Sequence, residues 1–348
     1  MNLKLLLACC LTGAFATTAS AQLPRIVVQG TAGPAVYTSL DTAIQDAQPG
    51  DKLYLSGGSF LLPASYTVDK PLHFIGAGMH PDSSAVTGST TIALVSGALR
   101  FTTEASGTTC TGIAFANAVG YGTEAADDDP TGMVFQRCDF TGGLSLGWAE
   151  GAISSSVLDE CVIRQGGNVH FNGYGGRAVV TRCIIDHCGI NLFRPSGLFM
   201  KNCVVLNAQL SNSKNAIVQN CVFTINAAPL WQVRGVQISN CLITGTELYS
   251  NASGNYETNI IYDQPASSIF VNETDNTYQY SDDLHLASGS PGANAGNDGH
   301  DVGIYGSGSP YKAGAVPYDP HFQAATINGA TNNQGELPVN IRMAAQSH

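Results

Sequence analysis

The sequence predicts an all-β fold, a right-handed parallel β-helix in which short strands coil into stacked rungs behind a short N-terminal capping helix. Three observations lead there. A phrase returns about every twenty residues, apolar residues alternate within each phrase, and the composition is poor in charge and rich in glycine. Only 12% of the 348 residues are charged and 39 are Gly, which favours strands and tight turns over helices.

The chain opens with Lys4, an apolar run from Leu5 to Phe15, and the small residues Ala19, Ser20 and Ala21. That order predicts a secretory signal over residues 1–21. A lipoprotein reading at Cys9 has only a few apolar residues in front of it. The mature chain is therefore expected to be exported, to the periplasm, the cell surface or the medium. No later stretch is long and apolar enough to span a bilayer as a helix.

Residues 22–60 read as an N-terminal cap and first strand. In TSLDTAIQDAQPGD the residues Leu40, Ala43, Ile44 and Ala47 fall on one helical face, Thr38 or Ser39 can cap the start, and Pro49-Gly50 ends it. Leu53 and Leu55 then alternate as a strand. A helix at this place would cover the open end of a solenoid, whose bare edge otherwise invites aggregation.

Residues 61–265 carry the repeat: MVFQRCDF, SVLDECVI, AVVTRCII, LFMKNCVV, AIVQNCVF and VQISNCLI. Its cysteines Cys138, Cys161, Cys183, Cys203, Cys221 and Cys241 are spaced by 23, 22, 20, 18 and 20 residues, with Cys110 an earlier member and Asn259 a later variant. A fixed period of this length marks a solenoid. In AVVTRCII, Ala178 and Val180, then Cys183 and Ile185, form the apolar set around the polar pair Thr181 and Arg182. Two strands with one buried face meet there at a short corner. One rung cannot bury its apolar face alone, and stacking about every 4.8 Å does so. The cysteines then form a core column that packs as small hydrophobes. Metal or redox chemistry is the rival reading, but one thiol per rung lacks the tetrahedral convergence zinc needs. Cys188 stands outside the column, so an odd thiol or single disulfide would involve it. Asn202, Asn220 and Asn240, at the corners, are expected to satisfy one another and the turn backbone.

Residues 266–348 read as a closing segment of the same domain. Here DDLHLASGSPGANAG and DVGIYG, together with the opening PGD and PLHFIGAG and the cysteine-marked rungs, resemble secreted bacterial proteins of the pectate-lyase-like β-helix superfamily. The resemblance spans roughly residues 25–320. It implies the coil but no activity, because the superfamily holds lyases, hydrolases, epimerases and members of unknown role. The acidic cluster of its calcium-dependent lyases has no counterpart here, so no catalytic residue carries over.

Chemistry is expected on the strands that follow each cysteine phrase. Continuing the alternation turns Ser145, His170, Asn172, Asn191, Phe193, Ser211, Trp231, Glu247 and Tyr249 to solvent, with Arg194 and Arg234 at strand ends. Aromatic rings cover sugar faces, while Asn and Arg fix hydroxyls and carboxylates. The expected ligand is a polysaccharide, with Asn172, Asn191, Trp231, Arg234, Glu247 and Tyr249 as binding residues. A net charge of -11 argues against nucleic acid. Glu247 lacks the second carboxylate that glycoside hydrolysis requires. Lyase-type β-elimination needs a base and a cation, which His170 and Arg194 could supply as catalytic residues. A surface histidine held by hydrogen bonds is the plainer reading of His170. No cofactor is expected. Asp127, Asp128 and Asp129 could ligate calcium, a reading that competes with a solvated loop. Asp298 and Asp301 read as turn residues. A polysaccharide lyase, a non-catalytic carbohydrate-binding protein and a structural or adhesive coil all stay open.

Overall fold

From Gly112 onward each rung turns first at a residue with left-handed backbone. The computed structural model describes residues 24–81, 88–123, 128–164, 170–312, 314, 321–327, 331–332 and 334–344. The expected signal with Cys9 and Cys10, and also Asp127, lie outside the described residues. The residues just before the repeated cysteines are Arg137, Glu160, Arg182, Asn202, Asn220 and Asn240, and Asn259 holds the same place in the last phrase. All have φ between 52° and 54°. Left-handed backbone crowds a Cβ against the neighbouring carbonyl, and Asn tolerates this best because its short amide bonds locally. The later rungs accordingly use Asn at this corner.

A rung such as Arg177–Thr181, Ile184–Asp186 and Gly189–Asn191 places one strand in each of three sheets. The chain is a parallel β-solenoid of about nine turns. The second and third sheets have nine strands each, all parallel, and the first has twelve. The first sheet begins with an antiparallel pair, Ile26–Gly30 and Gly33–Tyr37, that precedes the coil. The helix Leu40–Asp46 buries Leu40, Ala43 and Ile44 against the first rungs, and Ser39 Oγ accepts from Thr42 N at 3.3 Å as its N-cap. No helix among the described residues is long and apolar enough to cross a membrane.

Inside the coil, Cys138, Cys161, Cys183, Cys203, Cys221 and Cys241 form the expected column, whereas Cys110, expected as an earlier member, pairs with Phe135 in the neighbouring inward column and Ile113 takes the cysteine's place in that rung. All seven cysteines are buried and free. Their sulfurs serve the neighbouring backbone, as where Cys203 N donates to Cys221 Sγ at 3.4 Å. Burial pushes the thiols of Cys110, Cys138, Cys203 and Cys221 up. Cys188 is also buried and free, its thiol pushed up to about 12 by burial.

A second core lies outside the coil. Val162, Ile184, Val204, Val222 and Leu242 form one outward column on the second sheet, and each is buried. The segment 266–312 covers them, packing Ile269, Phe270, Tyr278, Leu284, Val302, Ile304 and Tyr311 against the column as a strap. Three of its hydrogen-bonding partners are the corner asparagines. Asn220 Nδ2 donates to Asn297 Oδ1 at 3.0 Å, Asn240 Nδ2 donates to Ala295 O at 2.8 Å, and Asn202 Nδ2 donates to Gly306 O. The corner amides thus hold the strap, and do not satisfy one another as expected. Asp298 pairs with Lys201 at 3.3 Å, and Asp301 accepts from Asn294 N at 2.9 Å, so both shape the strap.

Beneath the strap lie buried charges. Arg137 and Glu160 pair at 2.9 Å with 0% and 1% exposure, and Arg182 bridges Asp159 at 2.6 Å. Arg164 pairs with Asp139 at 2.6 Å, and Tyr280 of the strap donates to the same carboxylate. Burial, and then the Asp139 charge, push the Tyr280 hydroxyl up.

Candidate functional site

The outward face of the third sheet is polar and lies outside the contacts of the strap's apolar core, although its Ser211 is only 9% exposed. Arg100, Gly120, Ser145, Asn172, Asn191, Ser211, Trp231 and Ser250 are Cα partners in one continuous column. Ser145 to Trp231 spans four rung steps, roughly 19 Å at about 4.8 Å each. Trp231 is 36% exposed at one end of this stretch. Toward the other, the Arg100 guanidinium lies 4.3 Å from the centre of the Trp148 ring and donates to Gly122 O at 3.1 Å. Gly120 makes room for it, since a Cβ there would stand 3.1 Å from Arg100 Nη1.

His170 begins its strand, and its ring lies across Gly189 of the next rung. A Cβ added to Gly189 would fall 2.9 Å from His170 Nδ1 and 3.9 Å from Asn191 Nδ2. The glycine therefore lets His170 and Asn191 flank one point on the face. Asn191 Oδ1 is buried and has no hydrogen-bond partner. A neighbouring histidine, His187, is fully engaged: Nδ1 meets Asp186 Oδ1 at 2.6 Å and Nε2 meets Asn207 Nδ2 at 2.7 Å.

Two side chains expected outside are inside. Tyr249 pairs with Leu230, not with Trp231, and packs against the core, while Ser250 takes the place beside Trp231. Phe193 is buried with its ring 5.3 Å from that of Phe171. The cause in the second case is Leu192, whose φ of 60° is a corner that resets the alternation. Glu247 is exposed and precedes the last third-sheet strand, Tyr249–Ser250.

Beyond the third sheet, the corner assembles cations. Asn212, Gln232 and Asn251 are left-handed like Leu192, and two residues after each corner stand Arg194, Lys214, Arg234 and Ser253. Lys214 pairs with Arg234, and Arg234 with Ser253, across the rungs. Arg194, Lys214 and Arg234 thus form a ladder on three successive turns. None of the three joins an ion pair among the described residues. Arg194 and Lys214 line a cleft of about 400 Å³ with Glu150, Ile153, Pro195 and Asn212. Sequence reasoning missed Lys214, Glu150 and Trp148, although residues 194, 214 and 234 keep the period of the repeat.

His170 and Arg194 belong to adjacent rungs, as expected, but to opposite ends of their strands. His170 precedes the buried Phe171 at the start of one strand, whereas Arg194 lies past the end of the next, beyond Leu192. Asp128 accepts from Thr123 N at 3.0 Å and Asp129 from Trp148 N at 3.1 Å, so both carboxylates brace loops. Among the described residues no group of three or more His, Cys, Asp or Glu is placed to hold a metal. No known protein family matches the chain, and a search of curated proteins finds no relative.

Proposed function

We propose that this exported β-helix, a member of the pectate-lyase-like superfamily, binds a linear anionic polysaccharide along its third sheet. The observation that carries the reading is the Arg194, Lys214 and Arg234 ladder beside the column of Asn172, Asn191, Ser211 and Trp231. Three cations on successive rungs, with no ion-pair partner among the described residues, in a chain of net charge -11, suit a ligand that repeats its own negative charge along one axis. The ring of Trp231 and the amides of Asn172 and Asn191 suit sugar faces and hydroxyls. Expected β-elimination would need a base and a cation at one sugar, yet His170 begins its strand while Arg194 lies past the far end of the neighbouring one, beyond the Leu192 corner. Binding without bond cleavage is therefore the reading best supported.

The test is a panel of uronic-acid and neutral polysaccharides offered to the purified protein, with binding, new double bonds and reducing ends all measured. Retention by acidic polymers with neither product supports the proposal. Release of unsaturated ends would restore the lyase, and indifference to every acidic polymer would remove the glycan.

A further inference from the structure

The first sheet has a bare outward column, and it is apolar. Val134, Val157, Val179, Phe199 and Ile217 are Cα partners on five successive rungs, with Gln237 and Tyr256 beyond them. Val157 is 39% exposed, Val179 41% and Tyr256 70%. Shallow clefts of about 440 and 550 Å³ run along the column and share Phe199. Two residues further along each strand the outward column turns polar, through Gln136, Asp159, Thr181, Lys201 and Gln219. The apolar stripe is therefore bounded.

The chain ends in a matching surface. The strands His321–Ile327 and Val339–Ala344 form an antiparallel hairpin. Val339, Ile341 and Met343 alternate with Asn340 and Arg342 and are 50%, 49% and 56% exposed. Their Cα partners across the hairpin are Ile327, Ala325 and Phe322. A lone two-stranded hairpin is marginal in water and needs a surface to pack on.

We propose that this hairpin is the occupant of the stripe, folding over the first sheet of its own chain as a further layer. The tether carries the choice. The strap ends at the corner between the first and second sheets, where Lys312 N donates to Glu160 Oε2 at 3.2 Å and Arg182 Nη1 donates to Ser309 O at 3.0 Å. Glu160 directly follows the strand Ser155–Asp159 that carries Val157. Nine residue steps from Lys312 to His321 reach at most about 30 Å, so the hairpin stays within range of the stripe. The lengths also agree. Val134 to Ile217 covers four rung steps, roughly 19 Å, and a six-residue strand spans about 20 Å. A hairpin along the coil axis would cross the rungs near a right angle, one of the two common ways that sheets pack.

The experiment is disulfide trapping in the full chain, with Val179→Cys and Ile341→Cys together and a mild oxidant. The expected product is an intramolecular cross-link in the monomer. Asn212→Cys with Ile341→Cys, which pairs the hairpin with the far edge of the coil, should give none. Cross-linked dimers alone would assign the stripe to a second copy and overturn the proposal, as would no cross-link at all. A chain stopped after Lys312 gives an independent reading. It should bind several-fold more of an apolar fluorescent dye than the full chain while melting at a similar temperature. Unchanged dye binding would also overturn the proposal.

Discussion

The second and third sheets stand on the same rungs and share one core, yet their outward faces differ in kind. On the second sheet that face is Val162, Ile184, Val204, Val222 and Leu242, and the strap buries all of it. On the third it is Asn172, Asn191, Ser211 and Trp231, and His170 beside them is exposed. Inward residues tell only that a strand belongs to the coil. Outward residues tell what meets it, which is the chain's own strap on one side and water or a ligand on the other.

The sharpest break between the two faces is energetic. Glu160→Ala would leave Arg137 charged and buried beneath the strap, at a cost of about 3 to 5 kcal/mol. Ser145→Ala on the polar face should stay within about 0.5 kcal/mol. Urea denaturation of the two variants checks the contrast, and similar midpoints would mean that the strap is not part of the cooperative fold.

A middle-sized effect belongs to the core that both faces share. Cys203→Ala should cost about 1 to 2 kcal/mol through a small cavity, and Cys203→Val less. Reducing agent should leave the melting temperature unchanged, and the denatured protein should titrate Cys110, Cys138, Cys161, Cys183, Cys188, Cys203, Cys221 and Cys241 as free thiols.

Much of this architecture is legible in the sequence because stacking is periodic. The cysteine phrases mark the inward column, and Leu40, Ala43 and Ile44 mark the capping helix. What the sequence hides is whatever breaks the period. Alternation carried straight through Leu192 turns Phe193 outward, whereas a left-handed corner there sends it into the core. Tyr249 is misplaced by one residue for want of a fixed register at the last rung. Lys214 escapes notice because it follows another such corner, Asn212, even though Arg194 and Arg234 flank it at equal spacing. The strap has no repeat at all. Its partners, Tyr280 with Asp139 and Asn297 with Asn220, lie 141 and 77 residues apart.

The smallest effect on stability should accompany a large one on binding. Trp231→Ala removes a ring that stands at the surface, so the fold should lose no more than about 0.5 kcal/mol. Affinity for a long acidic oligosaccharide should fall about tenfold, which corresponds to about 1.4 kcal/mol. A melting temperature lowered by many degrees with unchanged binding would move the ring into the core and dissolve the site.

The central claim is that the polar face and its cation ladder meet an anionic chain. Calorimetric titration of a uronic-acid oligosaccharide and a neutral one of equal length, into the parent and a Lys214→Ala, Arg234→Ala double variant, tests it most directly. The parent should bind the acidic ligand, bind the neutral one far more weakly, and lose affinity as salt shortens the screening length from about 10 Å at 0.1 M to about 3 Å at 1 M. The double variant, folded as judged by its melting curve, should bind the acidic ligand at least about tenfold more weakly. Equal affinity of parent and variant, or equal affinity of the parent for the two ligands, would contradict the account.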